Sequence, residues 1–111
     1  MIARTPSPTI TVADDTVTAV IVGEFDMPTT FAAEPALERA LQTPGLRRVT
    51  LDLSGLTFID SLGLGVVLRL ASELDARGIV LQILPGPAPV QRVFATAGMA
   101  HALPFEPELP R

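Results

Sequence analysis

The chain has 111 residues, a net charge of −4, eight basic residues that are all Arg, and no Cys. This length suits one domain and buries enough surface to fold without a metal or crosslink. The absence of Cys and Lys excludes disulfides, thiol nucleophiles and lysine amine chemistry, and an acidic balance with Arg47-Arg48 as the one basic pair argues against direct nucleic-acid binding.

Residues 1–8 carry Pro6 and Pro8 and read as a loose arm without the apolar centre of a signal peptide. Residues 10–13 read as a short strand, Asp14-Asp15 as a turn and residues 17–24 as a longer strand, together a hairpin. Asp26-Met27-Pro28-Thr29-Thr30 signals a helix start, because Pro suits the first turn. Phe31, Leu37 and Leu41 roughly keep a helical spacing. Pro35 interrupts it, lacking an N–H and clashing with the preceding turn, so regular helix is expected only over residues 34–42, after an irregular lead-in.

Residues 48–53 alternate Val49, Leu51 and Leu53, a strand pattern. A short connection follows. Residues 62–76 form the strongest helix signal, stopped by Gly78 where φ > 0 is wanted. Residues 79–84 are almost wholly apolar and read as a strand near the sheet centre. Pro85-Gly86-Pro87-Ala88-Pro89 is a stiff turn, and Val90, Val93, Phe94 and Ala97 mark a short amphipathic helix ending before Gly98. Residues 102–105 are the candidate for a last edge strand. The domain is expected over residues 9–106, with a frayed tail over 107–111. No apolar run approaches the ~20 residues of a membrane helix, so the expected location is the cytoplasm.

The order β-β-α-β-α-β-α-(β) indicates an α/β fold: a mixed sheet of four to five strands with three to four helices. Sites in such sheets gather beyond the carboxyl ends of the parallel strands. That places Asp26, Asp52, Asp60 and Ser61 near one edge. Ser61 stands at a helix start, where free N–H groups favour negative charge. Its hydroxyl could cap the helix, as could the Asp60 carboxylate, and a capping serine can also be a phosphorylation target. Gly63 and Gly65 each weaken the first turn by up to about 1 kcal/mol, a cost the helix bears most easily where something approaches its backbone. Leu62, Leu64, Val66, Val67 and Leu68 cannot all face the sheet, so an exposed apolar patch beside Ser61 is expected.

Other chemistries lack their residues. The single His is His101, no Gly-x-Ser-x-Gly elbow surrounds Ser61, and neither a phosphate-binding loop, a complete dinucleotide fingerprint nor metal-ligand spacing occurs. A receiver domain phosphorylated on aspartate would need paired acids after the first strand and a late lysine. No enzyme activity, metal or cofactor is expected.

Gly23-Glu24-Phe25-Asp26, the run from Val49 to Asp60-Ser61, and Gly63-Leu64-Gly65 together resemble the STAS family of anti-sigma-factor antagonists, with matching spacing over nearly the whole chain. The Arg-only, Ala- and Pro-rich composition points to a bacterial source, and the resemblance implies a protein whose Ser61 is phosphorylated by a partner that is both kinase and anti-sigma factor. The unphosphorylated form binds that kinase and frees the sigma factor; phosphorylation ends the binding, and a metal-dependent serine phosphatase restores it. It further implies that Asp26, Asp52 and Asp60 surround the phosphosite and that Leu62, Gly63, Leu64 and Gly65 contact the kinase. STAS-like domains also serve as non-switching subunits in membrane-transporter or lipid-trafficking complexes, the alternative role.

Overall fold

The computed structural model describes residues 8–107 and Leu109; most of the expected arm and residues 108, 110 and 111 of the expected tail lie outside the described residues. β1 (Thr9–Ala13) and β2 (Thr16–Val20) form the expected hairpin, paired antiparallel through a turn in which Asp14 has φ 55°. β2 then pairs in parallel with β4 (Arg48–Asp52), and β4 with β6 (Val80–Leu84), giving the order β1-β2-β4-β6. Val17, Ala19, Val49, Leu51 and Ile83 are buried on one face of this mixed sheet. Thr18, Thr50 and Gln82 stand level with one another on the alternate positions. This alternation is what one well-covered face demands of a strand.

The single strand expected over residues 17–24 is instead two. The chain leaves the ladder after Val20, turns at Gly23 with φ 80°, and enters β3 (Gly23–Phe25). β3 pairs in parallel with β5 (Leu56–Ile59), where only a connection was expected. β5 escapes a periodicity reading because its inward residues, Leu56 and Ile59, enclose the exposed Thr57 and Phe58. These two short strands continue the carboxyl ends of β2 and β4, joined by Ile21 N–H to Asp52 O and Gly23 N–H to Gly55 O, both at 3.0 Å.

α1 (Met27–Ala40) runs regularly through Pro35 and is longer than the expected helix. Two local features explain the difference. Asp26 and Thr29 form a reciprocal capping box that starts the helix early. Pro35 is exposed, as is Phe31 one turn before it, so the Phe31 carbonyl that loses its donor lies on the water-facing side. The inward face is Ala33, Leu37 and Ala40.

α2 (Ser61–Ala76) packs on α1 and ends at Gly78, φ 70°, as expected. Gly78 N–H donates to Asp75 O and Ile79 N–H to Leu74 O, closing the last turn with the two bonds of a left-handed helix stop. α3 (Ala88–Thr96) buries Val90 and Phe94, and the Phe94 ring meets Phe105 edge-on at 5.0 Å. β6 lies at the sheet's edge, not near its centre, and Val80 is exposed accordingly. Its apolar character serves the packing of Ile83. The candidate edge strand reduces to one bridge between Ile83 and Phe105, since Pro104 has no N–H to extend a ladder.

Candidate functional site

The parallel strands β3 and β5 end side by side, with Phe25 opposite Ile59 and Asp60 N–H donating to Phe25 O at 3.2 Å. Two helices therefore begin next to each other. Asp26 caps α1: its Oδ1 accepts from Thr29 N–H at 3.4 Å, while Thr29 Oγ1 accepts from Asp26 N–H at 2.7 Å. Asp60 caps α2, its Oδ1 accepting from Leu62 N–H at 3.0 Å and Gly63 N–H at 3.1 Å. Of the two candidate caps, the structure thus uses Asp60.

Ser61 occupies the first helical position. It is exposed, and among the described residues its hydroxyl makes no hydrogen bond. A side chain here points back over the turn before the helix, toward solvent at the strand ends. The hydroxyl is a free acceptor of a covalent group.

Gly63 faces inward, contrary to its expected place on a contact surface. A Cβ at this position would stand 2.4 Å from Phe25 O, so the glycine lets α2 sit directly on the end of β3. Gly65 differs: a Cβ there meets nothing within 4 Å. Leu62 is 48% exposed. Leu64 is half-buried and, with Ser61, Arg92, Val93, Thr96 and Ala97, lines a groove of about 390 Å³ between α2 and α3.

Asp26, Asp60 and Ser61 are brought together. Asp52 is not: the Ser54-Gly55 turn and all of β5 separate it from Ser61, and its Oδ1 accepts from Ser54 N–H at 2.9 Å and Ser54 Oγ at 2.6 Å. Asp52 supports the turn that launches β5.

Sequence reasoning missed three further groups. Met27 and Phe31, one turn apart on α1, are 52% and 70% exposed, and Phe58 on β5 is 47% exposed. Phe31 keeps a helical spacing with Leu37 and Leu41 in the sequence but lies off their buried face. The Met27–Phe31 interval was the available signal. Arg92 joins the Ser61 groove across 31 residues of sequence, which no local pattern displays. His101 lines a different cavity, with Leu68, Ser72 and Asp75. Among the described residues, no three His, Asp or Glu side chains are placed to hold a metal, and no helix is long and apolar enough to cross a membrane.

The STAS domain family model matches residues 7–110. An anti-sigma F factor antagonist of Paenibacillus polymyxa is 28% identical over 83 residues, which cover 75% of this chain and 71% of that protein. A structure of the anti-sigma factor antagonist SpoIIAA in its unphosphorylated form superposes with a TM-score of 0.72 at 24% identity, over 83% of this chain and 81% of that one. The Bacillus cell fate determinant SpoIIAA in the phosphorylated form gives a TM-score of 0.67 at 22% identity, over 83% of this chain and 84% of that one. These two likenesses are likenesses of fold.

Proposed function

The chain belongs to the STAS domain family, and from that premise we propose that it is an anti-sigma-factor antagonist switched by phosphorylation at Ser61. The observation that carries this reading is the division of labour at the start of α2. Asp60 supplies the cap, leaving the exposed Ser61 hydroxyl without a structural task. The relative from Paenibacillus polymyxa bears the name of such an antagonist, which supports the role.

In this reading a kinase that is also an anti-sigma factor docks over Leu62, Leu64 and Gly65 and transfers the terminal phosphoryl group of ATP. A bond forms between Ser61 Oγ and phosphorus, the bond to ADP breaks, and the hydroxyl proton passes to a base on the kinase. The chain supplies the acceptor and the docking surface but no catalysis. The phosphoserine then carries about −1.5 to −2 charge. The backbone of α2 tolerates it, because negative charge is favoured at a helix N-terminus. The partner does not: the Asp60 and Asp26 carboxylates are close by, and burying the phosphate against Leu62 strips its water. Binding is lost while the fold is kept, and a metal-dependent serine phosphatase in the cytoplasm resets the switch.

Intact-mass analysis after incubation with kinase-type anti-sigma factors and ATP tests this. One added phosphate, absent from Ser61→Ala, is the expected result. A stable complex that leaves the mass unchanged would transfer the assignment to the non-switching docking role.

A further inference from the structure

The groove beside Ser61 carries one cation among its lining residues. Its lining is Ser61 and Leu64 from α2, and Arg92, Val93, Thr96 and Ala97 from α3. The other described arginines are placed elsewhere. Arg69 is tied to Glu34, and Arg77 to Glu73 and the Leu41 carbonyl. Arg39 stands in the last turn of α1, and Arg47 and Arg48 precede or open β4, at the ends opposite to the site. Arg92 is exposed and, among the described residues, forms no ion pair.

From this arrangement we propose that Arg92 is the intramolecular counter-ion of phosphorylated Ser61, so that the groove between α2 and α3 is a phosphate-binding site created by the modification. The inference rests on the assignment of Ser61 as the phosphosite. The chemistry is specific to the residue type. A guanidinium offers a planar fork of donors to two phosphate oxygens at once, and charge-assisted bonds of this kind exceed neutral ones in strength. Thr96 adds a hydroxyl to the same lining, to which Leu64, Val93 and Ala97 contribute apolar groups. Asp60 and Asp26 are the acidic groups at the two adjacent helix starts and do not line the groove. The modified side chain is thereby drawn toward α3. The switch then has a structural second half: the phosphate repels the partner, and its tie to Arg92 spans the groove beside Leu64 with a charged bridge.

The test uses the full chain with phosphoserine installed at position 61 during translation, so that it does not depend on any kinase. The second ionisation of the phosphate is followed by ³¹P NMR against pH in the parent and in Arg92→Gln, Arg92→Lys and Arg39→Gln. A nearby cation favours the doubly charged phosphate, so Arg92→Gln should raise its pKa by about half a unit. Arg92→Lys should restore part of that shift. Arg39→Gln, which removes an equal charge at the far end of α1, should leave the titration in place. Parent and Arg92→Gln titrating together would overturn the proposal, as would an equal shift from Arg39→Gln, which would reduce the effect to net charge. Arg92 is exposed, so the fold should survive the change, and unaltered circular dichroism checks this. Failure of every kinase tried to modify the chain would count against the phosphosite assignment and leave this titration readable.

Discussion

The helices that follow β3 and β5 begin side by side, each capped by an aspartate, yet they use their hydroxyl groups differently. In α1 the hydroxyl belongs to Thr29, at the third helical position, where it accepts from Asp26 N–H and completes a capping box. In α2 the hydroxyl belongs to Ser61, at the first position, where among the described residues it makes no hydrogen bond, and the Asp60 side chain caps the helix. Two positions along one turn separate a structural hydroxyl from an available one. The glycines of α2 repeat this division, Gly63 closed against Phe25 O and Gly65 open.

The largest effect on the comparison should come from Gly63→Ala. The added methyl meets a backbone carbonyl, which cannot swing aside, so α2 must shift from the end of β3. We expect a loss of about 1–3 kcal/mol in urea unfolding. A stability within error of the parent would show that the two helix starts are not locked together through this contact. Next, the two caps should differ. Asp60→Ala leaves two N–H groups without their acceptor and should cost about 1–2 kcal/mol by the same measurement. Asp26→Ala removes one long backbone N–H bond and the bond from Thr29 Oγ1 to the carboxylate, but Thr29 Oγ1 keeps its bonds to the backbone of residue 26, so about 1 kcal/mol is expected. A reversed ranking would contradict the view that Asp60 carries the α2 cap unaided. The smallest effect should be Gly65→Ala, a gain of up to about 1 kcal/mol, because the site is open and alanine suits a helix. The same variant should bind the kinase more weakly if the partner approaches the backbone there; unchanged binding would place the docking surface elsewhere.

Much of this frame is legible locally. The hairpin shows in two β-rich runs around Asp14-Asp15, α2 in its length and its Gly78 stop, and the candidate site in the aspartate–serine pair at the start of α2. What escapes the sequence is settled by neighbours. Pro35 argues against a helix by itself, but the capping box and an exposed outer face outweigh it in α1. β5 is four residues long and lacks alternation, so its pairing with β3 defines it. Asp52 shares a residue type and a strand-end position with Asp26 and Asp60, yet the added strand places it in a separate turn. Arg92 has no local mark that sets it apart, and only the fold brings it into the groove that Ser61 lines.

If the free hydroxyl of Ser61 is the switch, phosphorylation changes the affinity of the proposed kinase partner for the chain, which calorimetry without ATP measures before and after the modification. At least about tenfold weaker binding is expected after phosphorylation, ~1.4 kcal/mol, with a similar direction for Ser61→Asp and parent-like binding for Ser61→Ala. Equal affinity of the phosphorylated and unphosphorylated chains would contradict the switch.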